Sequence, residues 1–298
     1  MIPDTMNYNV LGRSALKVSE IAFGCMSLEN DFDTAEQLIR KAYDQGINFF
    51  DTADLYDKGL NEELVGTAIK PIRDKIILST KVGNQWRKDG SGWDWNPRKD
   101  YILKAVDKSL KRLQTDYIDL YQLHGGTIQD PIDETIEAFE LLKEKGKIRA
   151  YGISSIRPNV IREWTKRSNL DSVMMQYSLL DRRPEEAMLD HLKNSKVSVI
   201  TRGTLAKGLL VDKKAKSYLN YTEEQVQSLS TLLHKLKDPV GVNIGFVLAH
   251  PVVSSAVIGI RTHDQLMEIL AAEPKNISAE NLEKLRSVLP ANTYQDHR

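Results

Sequence analysis

The sequence predicts a (β/α)8 TIM barrel, forming one domain over residues 1–298, and three observations carry that expectation. Short, largely continuous apolar runs recur along the chain, as strands buried on both faces must. Each run is followed by an amphipathic stretch of helical period, so the order reads as a parallel sheet with right-handed crossovers. About eight such units fit into roughly 260 residues with no linker or low-complexity segment between them, which favours a closed barrel over an open sheet.

The strands are read in order as IAFG from Ile21, FFDTAD from Phe49, IILSTKV from Ile76 and IDLYQLH from Ile118. IRAYGIS from Ile148, SVMMQYS from Ser172, VSVITRG from Val197 and SAVIGI from Ser255 complete the set. Between them, stretches such as Asp133 to Lys145 place Ile136, Phe139 and Leu142 on one apolar side. Asn61-Glu62-Glu63 reads as an N-cap with first-turn acids. Pro97, Pro131, Pro158 and Pro184 stand near helix starts, and Gly46 and Gly146 suit left-handed helix ends. The segment Gly241 to Ile260 is too polar to span a membrane, with Asn243, His250 and Pro251 inside it. It reads as a core helix, a turn and a buried strand. About 18 N-terminal residues are expected outside the barrel as a short hairpin over its bottom, with a C-terminal helix also outside.

Composition narrows the function. Forty-one basic residues balance 41 acidic ones, which gives no reason to expect nucleic acid or a membrane surface as partner. The single cysteine, Cys25, excludes intramolecular disulfides and cysteine-rich zinc modules, and fits a reducing cytoplasm. The N-terminus lacks the pattern of a secretory signal.

Barrel active sites lie at the C-terminal ends of the strands. Read in strand order, those ends carry Gly24 and Met26, then Asp51 and Tyr56, then Lys81 and His124. Ser154 with Ser155, Gln176, Arg202 and Arg261 follow. An Asp, a Tyr, a Lys and a His thus converge from three consecutive strands. A phenol ionises near pH ~10, and an adjacent ammonium lowers such a value by about 1–3 units. A carboxylate keeps the ammonium charged, and a histidine can orient a substrate oxygen. The set makes a proton donor for a developing alkoxide, and reduction then needs a hydride source, a nicotinamide cofactor. A metal hydrolase is disfavoured, because Lys81 would repel a cation between Asp51 and His124 and no His-x-His pair exists.

From about Leu11 to Leu289 the chain resembles the aldo-keto reductases, through LGRSALKVSEIAFGCM, FFDTADLYDKGLNEELVG, LSTKVG and DYIDLYQLH. The resemblance implies an NADP-dependent enzyme that passes a hydride from NADPH to an aldehyde or ketone. Tyr56 would be the proton donor, Lys81 and Asp51 its tuners, and His124 the group that orients substrate. It implies nicotinamide carboxamide contacts at Ser154, Ser155 and Gln176, and further cofactor contacts at Gly24, Met26, Arg202, Gly203 and Leu205. Contacts to the adenosine phosphate fall at Gly259, Arg261, Thr262, Gln265 and Glu268. The absence of a Gly-x-Gly-x-x-Gly loop agrees with that mode of binding. Four positions depart from the common pattern. Ser155 replaces Asn, Arg202 replaces an aromatic ring beside the nicotinamide, Ile269 replaces an Asn at the adenine, and Gly125-Gly126 replaces a bulky pocket residue. Trp86, Trp93 and Trp95 are expected in a polar loop near the pocket, and the loop from Leu205 to Thr222 is expected to cover a bound dinucleotide, with Lys207 or Lys213 near its pyrophosphate. The alternative is a cofactor-binding sensor or regulatory subunit with slow turnover. The partner expected is a small carbonyl compound.

Overall fold

The structure, a computed structural model, describes residues 6–272, 274 and 277–298. The chain begins with an antiparallel hairpin, β1 (Tyr8–Val10) and β2 (Lys17–Ser19), and enters the barrel at β3 (Ile21–Gly24). It continues through α1 (Phe32–Asp44), β4 (Phe49–Asp51), α2 (Leu60–Ile69) and β5 (Ile77–Val82). A second hairpin, β6 (Asn84–Trp86) and β7 (Trp93–Trp95), precedes α3 (Lys99–Arg112). Then come β8 (Ile118–Leu123), α4 (Ile132–Glu144), β9 (Ile148–Ser154), α5 (Pro158–Arg167) and β10 (Ser172–Gln176). The rest is α6 (Met188–Asn194), β11 (Ser198–Arg202), α7 (Glu223–Lys235), α8 (Pro239–Leu248), β12 (Val253–Gly259), α9 (His263–Ala271) and α10 (Ala279–Val288).

Eight parallel strands close into a barrel in the order β10-β11-β12-β3-β4-β5-β8-β9. Each of the eight apolar runs supplies one of them. Side chains on both faces of these strands are buried, because one face lines the barrel interior and the other meets the helices. Helix α1 shows how the helices attach: Asp31 caps its first turn, while Ala35, Leu38, Ile39 and Ala42 face inward.

The N-terminal hairpin closes the bottom of the barrel, as expected. Leu11, Leu16 and Val18 join Phe49, Leu120, Met174, Ile200 and Val257 in one apolar cluster. The Gly12 N–H donates to Ser198 Oγ over 2.7 Å and ties the hairpin to β11. At the other end of the chain, α10 packs outside the barrel, and the segment after it returns across the rim. There the Asn159 N–H donates to the His297 carbonyl over 2.8 Å. No helix among the described residues is long and apolar enough to cross a membrane.

Two local expectations are corrected. Asn61 is not an N-cap. It lies inside α2, fully buried, where Oδ1 accepts from the Thr52 hydroxyl at 2.6 Å and Nδ2 donates to the Cys25 carbonyl at 2.8 Å. The tryptophan segment is not an irregular loop but the hairpin β6–β7, turning through Asp89-Gly90-Ser91-Gly92.

Candidate active site

Asp51 ends β4, Lys81 lies near the end of β5, and His124 directly follows β8. These three strands are neighbours in the barrel, so their side chains meet at its C-terminal mouth. Tyr56 comes from the turn after β4. Lys81 is buried, and its ammonium points at three acceptors: Asp51 Oδ2 at 2.6 Å, the Thr52 carbonyl at 2.7 Å and Tyr56 Oη at 3.4 Å. Burial alone would push the lysine pKa down; Asp51 and Tyr56 outweigh it, and the value lies above the ordinary one. The ammonium is therefore charged at neutral pH.

His124 packs edge-on to Tyr56, with ring centroids 5.9 Å apart and planes at 83°. Burial, then the charges of Lys81 and Arg202, lower its pKa to about 3. It is a neutral imidazole, able to donate or accept one hydrogen bond at a substrate oxygen without carrying charge. Its Nδ1 is buried and bonds to no group among the described residues.

The turn that delivers Tyr56 is tightly wound. Asp57, Lys58 and Gly59 follow it with φ of 47°, 57° and 95°. A Cβ on Gly59 would come within 2.8 Å of Arg112 Cδ, so glycine is required there for space as well as backbone angle. Behind the turn, buried Glu62 accepts from the Thr80 hydroxyl at 2.6 Å and pairs with Arg112 at 2.5 Å. This pair fixes α2 and the following α3 against β5.

The residues expected to hold a cofactor lie along one arc of the same rim. Gly24 and Gly259 are register partners on β3 and β12, so two bare backbones approach each other there. Met26 is 63 % exposed beside them. Ser154 ends β9 and Ser155 follows it, Gln176 ends β10 and Arg202 ends β11, with Gly203 and Leu205 just beyond it in the chain. The Arg202 guanidinium is half-buried and bonds to no side chain among the described residues. Burial lowers its pKa, an effect opposed by Tyr56 and Asp181. Further round, Thr262 caps α9 by accepting from the Gln265 N–H, and the Gln265 side chain accepts from the Arg261 N–H. The Arg261 side chain is exposed and makes no ion pair among the described residues, and Glu268 is exposed on the same helix. Ile269 is buried under α9.

Beside the Tyr56 group stands the β6–β7 hairpin. Trp86 Nε1 donates to the Leu55 carbonyl at 3.2 Å, and Lys58 sits 5.3 Å from its ring. Trp95 Nε1 donates to Asp130 Oδ1 at 3.0 Å, and its ring lies over Gly83 and Gly125. Gly83 and Gly125 thus leave room for an indole that the hairpin supplies, whereas Gly126 faces Val160 instead; Trp93 is exposed. Cys25 is buried against the Phe23 carbonyl, and burial raises its thiol pKa; it is a packing residue. A separate cavity of about 600 Å³ opens where Arg183, Asn220, Asn292 and Tyr294 meet. No local sequence pattern points to it, because its walls come from loops and the C-terminal segment. Lys213 packs beside Gly208 in the loop from Leu205 to Thr222.

Fold and site together are those of a barrel oxidoreductase. The model of the Aldo/keto reductase family matches residues 20–290. An uncharacterized oxidoreductase, YqkF of Bacillus subtilis, is 48% identical, over 98% of this chain and 100% of its own. Aldo-keto reductase YhdN of the same organism is 31% identical, covering 98% of this chain and 96% of its own. Among solved structures, aldo-keto reductase AKR11C1 from Bacillus halodurans in its holo form superposes with a TM-score of 0.95. It shares 49% identity, over 98% of this chain and 99% of that one. The chain belongs to the aldo/keto reductase family.

Proposed function

We propose that the protein reduces an aldehyde or ketone with NADPH, and that Tyr56 donates the proton to the carbonyl oxygen. The observation that carries this reading is the direction of the Lys81 ammonium. It donates toward Tyr56 Oη, so the phenol's own proton is turned away from the lysine and free for a substrate oxygen. Asp51 keeps Lys81 charged and in place. Neutral His124 holds the substrate oxygen near Tyr56 by a hydrogen bond that strengthens as charge develops on that oxygen.

The rim residues fit a dinucleotide. Paired glycines on β3 and β12 allow close approach, and Ser154, Ser155 and Gln176 offer polar groups suited to a carboxamide. Arg261, without an ion pair among the described residues, stands with Thr262 at a helix N-terminus, a combination suited to a phosphate. Met26, Arg202, Gly203, Leu205, Gln265 and Glu268 complete the proposed contacts. The bound cofactor supplies the hydride; the chain's own residues orient the carbonyl and deliver the proton. The loop from Leu205 to Thr222, with Lys207 and Lys213, is proposed to lie over the cofactor.

The test is NADPH consumption by the purified protein on a panel of aldehydes and ketones. Turnover on at least one of them, unaffected by a chelator, is expected. Cofactor binding without turnover on any of them would instead favour a sensor or regulatory subunit.

A further inference from the structure

Beneath the Lys81–Asp51 pair, the barrel interior holds a polar side chain that this scheme does not use. Gln122 lies on β8, in register with Lys81 on β5, and is fully buried. Its Nε2 donates to Ser79 Oγ at 2.8 Å and lies 3.4 Å from Asp51 Oδ1. Ser79 is in turn the register partner of Asp51 across β5 and β4. A buried amide in the middle of a barrel strand is costly unless it is well bonded, and an aliphatic residue would fill the space at no such cost. Here the cost is not fully offset, because Gln122 Oε1 is buried with no partner among the described residues. The amide is also oriented one way only. Rotating it would set a carbonyl oxygen against the Asp51 carboxylate. Asp51 is therefore held from two sides, with Lys81 on Oδ2 and Gln122 on Oδ1.

The geometry points to Gln122 as a positioning residue that, with Ser79, fixes the Asp51 carboxylate so that the Lys81 ammonium stays aimed at Tyr56. This inference rests on the reading of Tyr56 as proton donor. A carboxylate anchored on one oxygen alone can turn about its terminal torsion and carry the ammonium with it. The lysine contact to Tyr56, already 3.4 Å, is the weakest of its three and the first to be lost. Less positive charge then faces the phenolic oxygen, and proton donation slows.

Gln122→Met keeps the length and removes both N–H donors. Its kcat for aldehyde reduction is measured across pH, together with its NADPH dissociation constant from tryptophan fluorescence. The dissociation constant is expected to stay within about twofold of the parent's. The kcat is expected to fall about tenfold, and its alkaline limb to move up by about half a unit to one unit. A defect of packing alone would lower folded protein or cofactor binding without moving that limb. Ser79→Ala removes one hydroxyl from the same chain, is expected to move the limb the same way by less, and carries the test should Gln122→Met not fold. A limb and kcat unchanged from the parent in folded Gln122→Met overturn the inference; where that variant does not fold, the same result in Ser79→Ala does so. Parent-like rates in Tyr56→Phe would remove the underlying reading, and the inference with it, which is a separate result from an unmoved limb.

Discussion

Lys81 has three N–H groups and a buried charge, and every one of those groups is directed at an oxygen of the site. That single residue explains why Asp51 and Tyr56 stand where they do, and it is conspicuous in the sequence: a lysine at the end of the buried run IILST demands partners. Gln122 lay in a similar run, IDLYQLH, but an uncharged amide there raises no such alarm, so it passed as part of a strand. His124 yields a test of the site's electrostatics. Its folded pKa of about 3 lies below an unfolded value near ~6.5. The folded state then binds fewer protons than the unfolded one across that window. The stabilisation associated with neutral His124 is complete above pH ~6.5 and is lost as pH falls toward 3. In His124→Gln, the loss of unfolding free energy between pH 7 and pH 4.5 is expected to shrink by about 2 kcal/mol. Chemical denaturation at the two pH values measures it, and an identical loss in parent and variant would contradict the assignment.

At the scale of elements, the eight barrel strands were legible because burial on both faces leaves continuous apolar runs. The β6–β7 hairpin was not, since its residues are polar and only the spacing of Trp86, Trp93 and Trp95 around a Gly-rich turn betrays it. Asn61 departs from the cap expectation for a related reason. Cap preference is a local statistic, whereas its bonds to Thr52 and the Cys25 carbonyl are made across the fold. Helix α9 is capped by Thr262, and its N-terminus leads to a cofactor prediction. Arg261 forms no ion pair with Asp264 or Glu268 in the structure. The parent is expected to bind NADPH at least about tenfold more tightly than NADH, as one charge-assisted hydrogen bond provides. Arg261→Ala should lose most of that ratio through weaker NADPH binding, with NADH affinity nearly unchanged. Fluorescence titration of both cofactors decides it; a ratio that survives the substitution removes Arg261 from the phosphate site.

Across the whole molecule the two ends of the barrel divide the work. The bottom is sealed by Leu11, Leu16 and Val18, while the polar groups proposed for chemistry gather at the top. Leu11 is fully buried, so Leu11→Ala is expected to cost about 2–5 kcal/mol of stability while leaving kcat per folded molecule unchanged. Thermal melts beside activity normalised to folded protein check both halves of that statement; a matching loss of kcat would mean that the bottom and the mouth are coupled. The central claim concerns the mouth alone, and Tyr56→Phe tests it most directly. It removes one hydroxyl from a half-buried ring and leaves every proposed cofactor contact in place. The measurement is carbonyl reduction by this variant on the best substrate of the parent, with NADPH affinity determined in the same preparation. The account predicts a loss of about 10²–10⁴ in kcat with NADPH affinity nearly unchanged. Reduction at the parent rate would contradict it.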